Sequence, residues 1–196
     1  MLASITPLGE RGRHSRWSIT VSAFLLGATL AGAALGALAG ALGAVIVSGS
    51  VDFDARFAVL AAAGLLAVGL DARAERVPGP RRQVNEDWLA AFRGWVYGLG
   101  YGAQLGFGLT TVVSSAALYV AVIAALATGK PALGALVLGC FGASRGLTLL
   151  GAAGVRRQEQ LIALHVKLGH WRGRSRTASA ATLVAITTAA LIGALS

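Results

Sequence analysis

The chain alternates long apolar stretches with short basic ones. Five apolar segments can be drawn, at about 18–47, 57–70, 94–127, 132–155 and 178–195. A helix that crosses a bilayer needs roughly 20 residues. The second segment is short by that measure and must borrow flanking residues. The first and third are long enough to tilt, to break or to extend beyond the lipid. The pattern predicts an all-α integral membrane protein, a bundle of about five transmembrane helices with one or two of them long or broken.

Lysine and arginine fall in alternate gaps of that pattern. Three precede the first segment (Arg11, Arg13, Arg16), five lie in 71–93 (Arg73, Arg76, Arg81, Arg82, Arg93), and six lie in 156–177 (Arg156, Arg157, Lys167, Arg172, Arg174, Arg176). The other two gaps hold one each, Arg56 and Lys130. Basic residues collect on the cytoplasmic side of a membrane protein. The N-terminus and the loops at 71–93 and 156–177 are therefore expected in the cytoplasm, and the C-terminus outside. This divides the chain into a basic N-terminal segment, 1–17, and a single transmembrane domain, 18–196, in a plasma or inner membrane. The four tryptophans (Trp17, Trp88, Trp95, Trp171) fall at or near the same inferred cytoplasmic boundary, where interfacial rings belong. Leu161, Leu164, Leu168 and Trp171 recur at helical spacing, which suits a helix on the membrane surface or one packed on the bundle. The apolar run after the first arginines far exceeds the roughly 7–15 residues of a signal peptide core, so it reads as retained.

Composition agrees. Of 196 residues, 56% are hydrophobic and 13% charged, against about 25% charged in soluble domains. The net charge of +9 would suggest nucleic acid for a soluble protein. Here the charges sit between apolar runs and no nucleic-acid module is visible, so the expected partners are the bilayer and anionic lipid at the cytoplasmic loops. A second copy of the chain or another membrane protein is a further option. The lone Cys140 cannot form an intrachain disulfide.

Two glycine ladders stand out: Gly32, Gly36 and Gly40, and Gly94, Gly98, Gly102 and Gly106. Four-residue spacing keeps glycines on one helical face, where a neighbouring backbone can approach closely. Such packing is expected inside the bundle, with contact between subunits the alternative. The third segment also carries a polar stripe: Tyr97, Tyr101, Gln104, Gly108, Thr111 and Ser115. Polar groups at membrane depth need partners, so this face should look inward. It either bonds neighbouring helices or lines a route for a solute.

Arg145 is the one charge in the middle of an apolar segment, within Gly142-Ala143-Ser144-Arg145-Gly146. A cation at that depth costs a few kcal/mol at least and marks a functional candidate. No Asp or Glu in the spans can pair with it. Backbone carbonyls, the Gln104 and Thr111 face, water or an anionic ligand are the remaining partners. Asp52 and Asp54 read as a solvated turn, and His165 with His170 share no face that would hold a metal. No nucleophile–base pair and no nucleotide fingerprint is present. No enzyme activity, cofactor or metal is expected.

Tyr101-Gly-Ala-Gln-Leu-Gly-Phe-Gly-Leu-Thr-Thr-Val-Val-Ser-Ser115, the apolar run 118–126, Gly134-Ala135-Leu136 and the Gly-Ala-Leu run at 36–43 together carry a family resemblance. Over roughly 22–154 the chain resembles the transmembrane domain of the cytochrome c biogenesis and thiol-disulfide interchange family (CcdA/DsbD type). The resemblance implies a truncated, cysteine-less relative. Thr111-Val112 stands where that family has Pro-Cys, and the helix bearing its other redox cysteine is missing. Thiol relay needs two exchanging thiols, so the fold would survive without that chemistry. Transport of a small solute, with anions among the options, is the first expectation for function. Arg145 would supply charge, with Gln104, Thr111, Ser115 and Tyr101 along the route. A non-catalytic accessory subunit of a membrane complex is the second.

Overall fold

The computed structural model describes residues 5–47, 53–72, 87–108 and 116–195. These residues form an all-helical fold: α1 (Pro7–Gly12), α2 (Trp17–Val47), α3 (Phe53–Ala72), α4 (Trp88–Ala91), α5 (Gly94–Phe107), α6 (Ala117–Ala127), α7 (Pro131–Leu147), a 3₁₀ turn (Thr148–Ala152) and α8 (Gln158–Leu195). Among them, two helices are long and apolar enough to cross a membrane, Trp17–Ile46 and Pro131–Ala152. Ala117–Ala127 and Thr177–Gly193 are shorter apolar helices. The outward side chains of α2 include Leu26, Leu30, Leu38, Leu42, Val45 and Ile46, all largely exposed. A contiguous apolar surface of this kind suits contact with lipid.

The elements depart from the apolar segments in instructive places. The short second segment gains its length from its flanks, because α3 takes in Phe53 to Arg56 and ends at Ala72. The third segment is interrupted. Helix α5 stops at Phe107, where Gly108 takes the left-handed conformation (φ 64°), and α6 begins only at Ala117. A left-handed glycine closes a helix by turning the chain away from its axis. The β-branched and serine-rich residues that follow (110–115) are poor helix formers. The segment 156–171, expected as a helix on the membrane surface or packed on the bundle, is helical from Gln158 and runs on into the last apolar segment in α8, with no proline between them.

The N-terminal segment, expected only to be basic, contains a helix. Thr6 caps α1 by accepting a hydrogen bond from the Gly9 amide at 3.1 Å, and Pro7 occupies its first turn. Both are favoured at those positions. His14, in the link between α1 and α2, takes a positive φ of 54°. The Leu8 amide donates to the Val155 carbonyl, tying α1 to the chain just beyond the 3₁₀ turn.

The chain divides into two compact units. One comprises Met1–Gly32, Arg81–Val112 and Gly139–Arg172, and the other Ala33–Pro80, Val113–Leu138 and Gly173–Ser196. The first is built around Ile5, Val21, Phe24, Tyr97, Tyr101 and Leu149. The second is built around Ala67, Ala116, Val120 and Leu183, and there the Asp71 carboxylate accepts the Ala116 amide at 2.9 Å, joining the end of α3 to the start of α6.

Candidate functional site

In the first unit the glycines of α5 lie against the backbone of α2. A β-carbon on Gly98, Gly102 or Gly106 would collide with the carbonyl of Thr20, Phe24 or Ala28 respectively. Gly94 sits over the Thr20 and Ser15 side chains. The four-residue repeat on α5 thus meets a four-residue repeat on α2. In the second unit Gly36 faces the Gly134 carbonyl, and Gly40 faces the Lys130 carbonyl. Gly32 is buried.

This close approach brings α1, α2 and α5 together around a carboxylate that the sequence did not single out. Glu10 is fully buried. Its oxygens accept from the Tyr97 hydroxyl at 2.6 Å, the Thr20 hydroxyl at 2.8 Å and the Arg13 guanidinium at 2.7 Å. An ionised carboxylate survives burial only when donors replace water, and here three side chains supply them. Burial disfavours the Arg13 charge, but bonds with Glu10 and Tyr97 outweigh it and raise the guanidinium pKa above its usual value. Tyr97, expected in the polar stripe, serves this cluster. The Thr-Pro start of α1 was the available signal that Glu10 lies on an ordered helix.

Beside the cluster is a cavity of about 790 Å³, lined in part by Arg13, Arg16, Arg93, His14, Trp95 and Tyr97. Arg93 is the residue before α5, and its side chain does not cap the helix.

The residues expected along a solute route are only partly described. Arg145 lies in the last turn of α7, with its Nη1 donating to the Leu105 carbonyl at 3.2 Å and its guanidinium over the Phe141 ring at 5.8 Å. Leu105 is in the last turn of α5, where the helix dipole is negative, and its carbonyl also accepts the Gly108 amide at 3.1 Å. Gln104 is the adjacent residue on α5 and is half-buried. Tyr101 is buried and packs against Trp88, with ring centroids 6.0 Å apart and an interplanar angle of 15°. Thr111 and Ser115 lie outside the described residues. Among the described residues no group of His, Cys, Asp or Glu could hold a metal ion.

Comparison with known proteins gives consistent relatives. The chain is 32% identical over 199 residues to methylamine utilization protein MauF of Paracoccus versutus, covering 95% of the chain and 68% of the relative. It is 30% identical over 201 residues to MauF of Methylophilus methylotrophus and 29% identical over 201 residues to MauF of Methylobacillus flagellatus. Each of these two matches covers 97% of the chain and 68% of the relative. No family model matches the chain. No solved structure matches it. These relatives overturn the resemblance to the CcdA/DsbD family. The shared runs are glycine, alanine and leucine, which membrane helices have in common by composition, and the Pro-Cys motif that would have been specific is missing.

Proposed function

The chain belongs to the family of methylamine utilization protein MauF, and on that premise we propose that it is a multi-pass inner-membrane protein serving methylamine utilization as a non-catalytic accessory component. In this reading five crossings place the three basic stretches in the cytoplasm, as the distribution of lysine and arginine favours. The observation that carries the accessory role is the bond from Arg145 to the Leu105 carbonyl. A cation at membrane depth is answered by the chain's own backbone, at the negative end of a helix that stops early. That use of the charge is architectural, and the packing of Tyr101 against Trp88 is architectural too.

A second reading, a small-solute transporter, draws on the interruption after Gly108. Broken helices at membrane depth commonly border solute sites, and Arg145 reaches the end of this one.

Growth and uptake separate the two. Cells lacking the chain are resupplied with the wild type, Arg145→Lys or Arg145→Met, then tested for growth on methylamine, initial uptake of labelled methylammonium and amount of protein in the membrane. The accessory reading expects growth to require the chain while uptake does not. It expects Arg145→Met to lower protein amount and growth together, and Arg145→Lys to retain most of both. Uptake that falls to background in Arg145→Met at normal protein amount would overturn it in favour of transport.

A further inference from the structure

We propose that the cavity beside the α1–α2 turn is a binding site for a phosphate-bearing anion, recognised by Arg16, Arg93 and the uncapped N-terminus of α5. This goes beyond the accessory role and does not depend on it.

Three observations converge on it. The cavity is lined by Arg13, Arg16, Arg93 and His14, and no carboxylate is among its described lining residues. Glu10, which holds Arg13 on this side, is engaged by Tyr97, Thr20 and Arg13. Secondly, α5 starts in the cavity wall, at Gly94 and Trp95. Its first turn holds no acidic residue and receives no side-chain cap from Arg93. Helix N-termini are electropositive and are normally matched with acids or capping oxygens. Here guanidinium groups gather at the positive end instead, an arrangement of like charge that a bound anion would relieve. Backbone amides with arginine forks are also the donor set that suits phosphate oxygens. Thirdly, the space is larger than a phosphate alone requires. At about 790 Å³ it falls in the range of roughly 300–1,000 Å³ usual for small-molecule sites. Ile19, Leu89, Phe92 and Trp95 supply an apolar wall for the rest of the molecule. A phospholipid headgroup and a soluble phosphate ester share this chemistry.

The test uses the full-length protein in mild detergent, titrated by native mass spectrometry with phosphatidylglycerol, phosphatidylcholine and inorganic phosphate. Arg16 and Arg93 are exposed, as are Arg156 and Arg157, so the R16Q/R93Q variant is compared with R156Q/R157Q, which removes equal charge elsewhere. R16Q alone serves should the double variant melt early. The expected result is one tight site for phosphatidylglycerol or phosphate, weakened about tenfold or more per arginine by R16Q/R93Q, in line with lost charge-assisted bonds, and unchanged in R156Q/R157Q. Phosphatidylglycerol binding that millimolar phosphate does not displace identifies a lipid headgroup, and binding of phosphate itself identifies a soluble ester. Equal weakening in both double variants, binding unaffected by R16Q, or no binding of either anion would overturn the proposal.

Discussion

Two charges inside this protein, the buried Glu10 and the half-buried Arg145, each draw on a group far away in sequence. Glu10 meets Tyr97 across 87 residues, and Arg145 meets the Leu105 carbonyl across 40. Each pairing joins elements that neither local propensity nor spacing connects. Tyr97→Phe keeps the ring in the core and removes only the hydroxyl that donates to Glu10. A hydrogen bond to a charged group contributes about 1.5–3 kcal/mol, so Tyr97→Phe should lower thermal stability in detergent by an amount of that order. Adding Glu10→Gln should cost less in the Tyr97→Phe background than in the wild type, because both changes disturb one network. Additive losses measured by thermal melting would show the two side chains to be independent. Arg145 was legible from its position alone, since a lone cation in an apolar run is conspicuous. Glu10 was not, because an acid among arginines in a short N-terminal segment resembles a solvated one.

At the scale of elements, packing between α2 and α5 rests on backbone contact. Gly102 faces the Phe24 carbonyl so closely that a methyl group cannot be inserted without separating the helices. Gly102→Ala should therefore cost about 1–3 kcal/mol, the usual range for overpacking, despite the better helix propensity of alanine. Gly169→Ala in α8 is the control. Nothing lies within 4 Å of a β-carbon there, so the substitution should be neutral or stabilise by up to about 1 kcal/mol. Thermal melts of the two variants check both signs. The ladder itself was readable as a four-residue period, and so were the ingredients of the break after Phe107: a glycine followed by β-branched residues and serines. What a single sequence cannot carry is the identity of the opposing surface. Gly98, Gly102 and Gly106 meet the carbonyls of Thr20, Phe24 and Ala28 first, and a carbonyl is common to every residue type. That α3 had to borrow flanking residues was readable from its short apolar stretch, but the continuity of α8 was hidden, since hydropathy tracks lipid contact and helices outlast it.

For the whole molecule, the number of crossings decides which side each terminus occupies, and this can be measured without knowing the function. Helix α2 and the stretch Pro131–Ala152 have spanning length. If they alone crossed, an even count would return the C-terminus to the side of the N-terminus. Five crossings place the two ends on opposite sides. At about 1.5 Å per residue, the 20 residues of α3 extend roughly 30 Å, close to the hydrocarbon thickness. The 38 residues of α8 extend roughly 57 Å by the same rise, enough for its apolar end, Thr177–Gly193, to enter lipid while its basic beginning remains outside. The interrupted pair α5 and α6 would then cross together as one pass. Alkaline phosphatase fused after Leu195 should be active, and a fluorescent protein fused at the same point should stay dark, as a periplasmic C-terminus requires. In a Cys140→Ser background, a cysteine at Thr128 should react with an impermeant maleimide in intact cells, while one at Arg156 should react only after lysis. A fluorescent C-terminal fusion with inactive phosphatase would remove one crossing. The first to be given up would be α3, because the uncharged stretch between Arg56 and Asp71 is only 14 residues, short of the roughly 20 that a crossing needs.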